Sequence, residues 1–249
     1  MHTHENQKKA PGRSSHGLAV SLAALAGLLS GCSAAPAPCL IQRPPTGGYV
    51  IKFDVQGSVP AGCEATLPTT YGDIWRLDGY ADRQIYMKAD SMPYPDQGGP
   101  NSPVLGHGQL TEVPDTNDFC FIDDVTAMTS AVNPITGDPG NYVYKASNLK
   151  FLDGARYQGS TFEGDVDITI DACTATYKMQ ALSPSPITVG TCVTDDDCST
   201  VPGPGRATGS GINEDYAIAC VKDAWVVTYL TGDPDQGICF FTKPFPGLK

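Results

Sequence analysis

The sequence predicts an all-β chain, an antiparallel sandwich or barrel-like domain with a small disulfide-rich C-terminal region. Three observations carry that prediction. Gly (27 residues) and Pro (21) are abundant while charged residues make up only 17% of the chain, a balance that suits short strands joined by turns better than long helices. Several short segments alternate apolar and polar residues with a period of two, as a strand with one buried face does. Eight cysteines follow residue 32, four of them after Thr191, as in exported domains that reinforce their cores with disulfides.

The chain divides by composition into a leader (1–31), a Pro/Gly-rich tether (32–48), a β domain (49–187) and a cysteine-rich β region (188–249). Tyr49 to Val55 is the first strand, with Tyr49, Ile51, Phe53 and Val55 on one face and Lys52 and Asp54 on the other. Shorter strands are expected at Ile74 to Leu77, Gln84 to Ala89, Leu110 to Val113 and Tyr142 to Ala146. The Pro/Gly/Asn-punctuated stretch Met92 to Gly108 reads as a loop.

Thr161 to Leu182 reads as a hairpin. With Asp171-Ala172 as a two-residue turn, Ile170 faces Cys173, Ile168 faces Ala175, Val166 faces Tyr177, and Asp165 meets Lys178 as an opposite-charge pair. A one-residue slip would turn that apolar face outward. Ala172 is not a residue a type I′ turn favours, so a longer loop is the alternative. Beyond Pro184, Ala224 to Leu230 and Ile238 to Phe241 read as paired strands around a Gly232 to Gly237 turn, after the Pro202-Gly203-Pro204-Gly205 stretch. The repeated Thr-Gly-Asp-Pro and Pro-Asp-Gln-Gly tetrapeptides are turn chemistry and not a repeat architecture.

The N-terminus carries an export signal. Lys8, Lys9 and Arg13 precede an apolar run from Leu18 to Leu29, 12 residues long, which is short of the ~20 needed to span a bilayer. Leu29-Ser30-Gly31-Cys32 resembles the lipobox of bacterial lipoproteins. That resemblance implies cleavage before Cys32, acylation of Cys32 as the first mature residue, and membrane attachment through its acyl chains, because two or more chains anchor firmly where one does not. An ordinary signal peptide cut near Ala34, Ala35 or Ala37 is the alternative. Ser33, not the aspartate that retains well-studied lipoproteins at the inner membrane, implies the outer membrane by the same resemblance.

Setting Cys32 aside leaves Cys39, Cys63, Cys120, Cys173, Cys192, Cys198, Cys220 and Cys239. An even number fits a full set of disulfides, with 105 connectivities open. The cadence Cys192-x2-Asp195-x-Asp197-Cys198, then Cys220 and Gly237-x-Cys239, is similar to a cysteine-rich module of exported myxobacterial proteins. The segment Cys173-Thr-Ala-Thr-Tyr-Lys-Met likewise resembles lipoproteins of that group and their relatives. The long Cys198–Cys220 insertion departs from the module. The resemblance implies location and style of fold, and no activity.

Functional chemistry is sparse. Residues 1–31 hold three of the 16 basic and one of the 27 acidic residues, so without them the formal charge moves from −11 to −13. An acidic surface excludes nucleic acid as a main partner. His107 is the single histidine beyond the leader, between two glycines, and reads as a loop residue. Zinc-protease, nucleophile-elbow, Walker and dinucleotide motifs are absent from the sequence. No catalytic residue is assigned and no cofactor is required. Asp195, Asp196 and Asp197, with Glu214-Asp215 or Asp233 and Asp235 as added donors, are candidate calcium ligands. The expected role is non-catalytic: an exported, lipid-anchored envelope protein that binds another envelope protein or glycan or presents a surface. The alternatives are a carboxylate hydrolase of cell-wall or extracellular glycan, using residues such as Glu64, Glu112, Glu163 or Glu214, and a calcium-stabilised adhesion module.

Overall fold

A computed structural model describes residues 37–41, 48–92, 105–132, 139–153, 157, 159–184, 191–199 and 210–249. The leader with Cys32, most of the 32–48 stretch and the Pro202–Gly205 stretch lie outside these. Strands β1 (Tyr49–Val55), β2 (Thr70–Gly79), β3 (Gln84–Ala89), β4 (Gly106–Gln109), β5 (Phe119–Asp124), β6 (Met128–Val132), β7 (Pro139–Leu152), β8 (Thr161–Ile170) and β9 (Cys173–Leu182) form one antiparallel sheet. Its order is β4-β3-β2-β1-β9-β8-β7-β5, with β6 also on β7, so that β5 and β6 pair with successive stretches of one edge of β7 and the other paired strands, β1–β9 apart, follow sequence order. Two contacts close the ring. Val50 to Val55 of β1 pairs fully with Leu182 to Tyr177 of β9. The β4–β5 seam is thinner, held by a Gly108–Val125 bridge and the Thr126 N–H donating to the His107 carbonyl at 2.9 Å. The molecule is an up-and-down barrel, not a sandwich.

The β8–β9 hairpin has the expected register throughout, from Ile170 opposite Cys173 to Asp165 opposite Lys178. Asp171 alone takes a left-handed φ of 53° and Ala172 does not, so the tight turn needs no glycine at 172. Three expectations are corrected. Of the stretch Met92 to Gly108 read as loop, residues 93–104 lie outside the described residues, and Gly106 to Gly108 belong to strand β4 with His107 on it. Leu110 to Val113 is not a strand. Ala224 to Leu230 is helical (Ala224–Val226, continuing as Val227–Thr231), and Ile238–Phe241 (β11) pairs instead with Ile218–Val221 (β10). The helix starts after Asp223, whose carbonyl accepts from Val226 and Val227, and stops at Gly232 in the left-handed conformation. Burial of Trp225 and Val226 overrides the strand preference of this aromatic and β-branched run.

Two apolar clusters follow from strand alternation. Inward residues fill the barrel, among them Ile51, Phe53, Trp75, Met87, Phe151, Phe162, Val166 and Met179. On the outer surface, Ile74, Val50, Leu182 and Leu152 line up across β2, β1, β9 and β7 through the ladder pairs Ile74–Val50 and Val50–Leu182 and the two pairs made by Thr161. The C-terminal residues cover this row with Tyr216, Trp225, Val226, Ile238, Phe240 and Phe241. Trp225 lies directly on Gly72 of β2, where an added Cβ would sit 2.7 Å from its ring.

Four disulfides tie these parts together: Cys39–Cys120, Cys63–Cys173, Cys192–Cys220 and Cys198–Cys239. Cys220 and Cys239 face each other in the β10–β11 ladder, and both bridge back to the 192–198 loop. Within the stretch read as a tether, residues 37–41 lie against the barrel, with Cys39 buried and the Leu40 N–H donating to Asp153 at 2.9 Å.

Candidate functional site

The two barrel disulfides mark opposite ends of the barrel. Cys120 stands on β5 opposite Phe151, near the end of β7, whereas Cys173 opens β9 beside the end of β8. At the Cys173 end lies a cavity of about 740 Å³, within the range of small-molecule sites. Eight-stranded barrels have room for filling side chains or one small ligand. Here the aromatic filling stops short of this end.

Several elements converge on the cavity. Residues 64–68 cover one side, and the nearby Cys63–Cys173 bridge fixes them to the β8–β9 turn. Strand β2 contributes Tyr71 and Asp73, which share an inward phase with Trp75 and Leu77; β7 contributes Tyr142 and Tyr144. Tyr229 reaches the rim from the helical segment. Tyr71 stacks on Phe53 with ring centroids 4.4 Å apart and meets Tyr177 and Tyr229 edge-on.

Asp73 is the chemical centre of the site. It is only 6% exposed, and its Oδ1 accepts from the Ile74 and Ser91 N–H groups while Oδ2 accepts from the Ser91 hydroxyl at 2.6 Å. Burial pushes its pKa up to about 6, against those hydrogen bonds, with nearby Asp90 adding to the rise. Tyr144 lines the same wall, its hydroxyl near enough to Asp73 and Ser91 for both to influence it. The Tyr71 hydroxyl is buried without a hydrogen bond of normal geometry among the described residues, although it lies close enough to Tyr144 and Asp73 for them to raise its pKa beyond the rise from burial. Tyr177, raised to about 12 chiefly by burial, donates to the Pro68 carbonyl at 2.7 Å.

The residues singled out from sequence fall elsewhere. Asp197 caps its own turn, its Oδ2 accepting from Val193 and Thr194 N–H, and Asp195 Oδ1 accepts from the Cys220 N–H. Asp195 and Glu214 line a crevice of about 170 Å³ that Lys249 shares, whereas Asp196 and Asp197 do not line it. Asp233 accepts from the Asp235 N–H and the Gln236 side chain. Among the described residues, the donor groups close enough to share a metal are Cys192, Cys198, Cys239 and Cys39, Cys120, Asp153, and all of those sulfurs are in disulfides. Glu112 is exposed beside Arg83, and Glu163 on β8 faces Lys178. Of the candidate glutamates, Glu64 alone lines the large cavity, where it accepts from the Gly62 N–H. His107 Nδ1 lies 2.8 Å from the Thr126 hydroxyl at the β4–β5 seam. Sequence reasoning missed Asp73, Ser91, Tyr71 and Tyr144. The available signal was an aspartate in the apolar phase of Tyr71-x-Asp73-x-Trp75-x-Leu77.

Fold and cavity together define a disulfide-tied antiparallel barrel with a tyrosine-lined cavity at one end. The chain belongs to the MlpA family, whose sequence profile matches residues 56–184, just over half of its length and the greater part of the barrel. It is also 24% identical over 246 residues to a Myxococcus xanthus protein named "Putative lipoprotein MlpA", covering 93% of this chain and 97% of that one. No solved structure matches.

Proposed function

We propose that this chain is an exported envelope protein, acylated at Cys32 and held at the outer membrane, and that it serves there as a non-catalytic binding protein with its site in the barrel cavity. The observation that carries the binding role is the 740 Å³ cavity, with its tyrosine walls and one buried carboxylate. The Leu29–Cys32 motif and the lipoprotein name of the Myxococcus relative support the anchor. Six residues separate Cys32 from Cys39, which is bonded to the end of the barrel opposite the cavity. The seven Cα-to-Cα steps from Cys32 to Cys39 reach at most about 25 Å. Acylation at Cys32 thus keeps Cys39 within a short tether of the anchor.

A carboxylate hydrolase is the second reading, favoured by one observation: an acid raised to about 6 beside an aromatic-lined cavity suits a general acid. Hydrolysis needs a second, free carboxylate. Asp90 is engaged by Arg76 through bonds of 2.7 and 2.9 Å, and Glu64 accepts from the Gly62 N–H, so binding is the better-supported role.

The test is native mass spectrometry of the protein solubilised from its own envelope. The expected species begins at acylated Cys32, carries four disulfides and retains one small molecule, which Ile170→Trp, filling the rim, displaces. An unacylated chain overturns the anchor. Absence of any retained molecule, together with release of sugar from a glycan substrate, overturns the binding role.

A further inference from the structure

Resting on the binding role above, we propose that the cavity selects an organic cation, an amine or quaternary ammonium carried on an apolar body. The charges of the lining point one way. Glu64, Asp73 and Asp90 line the cavity, and none of its described lining residues is Lys, Arg or His. Arg76 and Lys88 are nearby, but they alternate to the outer face of β2 and β3, opposite the inward Trp75, Leu77, Met87 and Ala89, and Arg76 is engaged with Asp90. An anion entering here meets carboxylates only.

Asp73 supplies the specific feature. A buried carboxylate is normally paired with a cation because desolvation penalises it heavily. Asp73 forms no ion pair among the described residues and is held by one hydroxyl and two backbone N–H groups. That arrangement fixes the carboxylate without an ion pair among the described residues, Lys88 on the outer face of β3 feeling its charge only as a secondary influence. A ligand ammonium supplies an opposite charge beside a carboxylate that is itself largely withdrawn from water.

The tyrosines supply the rest. Tyr71, Tyr142, Tyr144 and Tyr229 give the cavity electron-rich rings, and cations are attracted to ring faces, more strongly when desolvated. The Tyr71 hydroxyl, buried beside Tyr144 and Asp73, adds a further polar group to this wall. Leu67, Ile168, Ile170 and Leu230 form an apolar wall for the ligand's body.

Isothermal titration of the full exported chain with 4-phenylbutylamine, 4-phenylbutanol and 4-phenylbutyrate, one body with three charges, separates the ideas. Cys32→Ala removes acyl chains and micelles that would compete for the probes. The amine should bind at least tenfold more tightly than the alcohol, and the carboxylate most weakly. Asp73→Asn should bring amine and alcohol within about twofold, chiefly by weakening the amine. Should that variant fail to fold, the native chain still reports: amine affinity should fall several-fold from pH 8 to pH 5 as Asp73 takes up a proton, while alcohol affinity stays constant. Equal binding of amine and alcohol overturns the cation preference and leaves the binding cavity standing. Failure of all three probes at millimolar concentration overturns both.

Discussion

Asp73→Asn should stabilise the protein at neutral pH while removing the charge that the cavity presents. Burial raises the Asp73 pKa from 3.8 to about 6. The folded state therefore binds the proton more tightly than the unfolded chain, and stability falls as pH rises from about 4 to about 6. At 1.36 kcal/mol per pH unit, this ionisation costs about 3 kcal/mol above pH 6 and nothing below pH 4. Asparagine fits the same contacts: its oxygen accepts from the Ile74 and Ser91 N–H groups, and its NH2 donates to the Ser91 oxygen that now donates to Oδ2. Allowing for weaker neutral hydrogen bonds, the expected gain at pH 8 is about 1–3 kcal/mol, or roughly 3–10 °C in Tm for a chain of this size. Urea unfolding followed by circular dichroism, disulfides intact, should show the two proteins converging at pH 4 and separating at pH 8. A variant less stable than the native chain by the same amount at both pH values would refute the assignment of a buried charge without an ion pair.

Other consequences are local. Replacing Cys63 and Cys173 by Ser opens a link spanning 110 residues, and on chain entropy should cost up to about 5 kcal/mol in unfolding free energy. Gly72→Ala should push Trp225 off β2 and destabilise by about 1–3 kcal/mol; because Trp225→Ala removes the same contact, the double variant should lose clearly less than the sum, measured by a urea double-mutant cycle. Chelation by EDTA should leave Tm unchanged, since Asp195 and Asp197 are held by backbone N–H groups and Lys249 shares the crevice; a rise on adding millimolar calcium would place an ion there.

What the sequence revealed depended on how cleanly side chains alternate. The β8–β9 register was legible because Val166, Ile168 and Ile170 against Tyr177, Ala175 and Cys173 leave one pairing that keeps them together. Strand β4 was hidden because its inward positions are Gly106 and Gly108. Neighbouring Met128, Ile122 and Val125 already fill that space, with an added Cβ at Gly108 falling 2.5 Å from Ile122, so the strand carries no apolar alternation. The 224–231 helix was hidden for the opposite reason: its composition favours a strand, and only the exterior row around Val50 and Leu182 explains why it packs as a helix. The cavity is a tertiary object. Asp73 and Ser91 meet because β2 and β3 are paired, and Tyr144 joins them across the barrel. The acids that stood out in sequence, Asp195 to Asp197, belong to a short turn in which Asp195 and Asp196 are exposed and Asp197 caps the backbone.

The most direct test of the cavity as the binding site is a 1H–15N correlation spectrum recorded during titration with 4-phenylbutylamine. Saturable shifts should centre on the amides of Tyr71 to Ile74, Ser91, Tyr144 and Ile168 to Ile170, with Val193 to Cys198 unmoved. Shifts centred on the cysteine-rich residues, or spread over the acidic surface without saturation, would contradict a binding site inside the barrel.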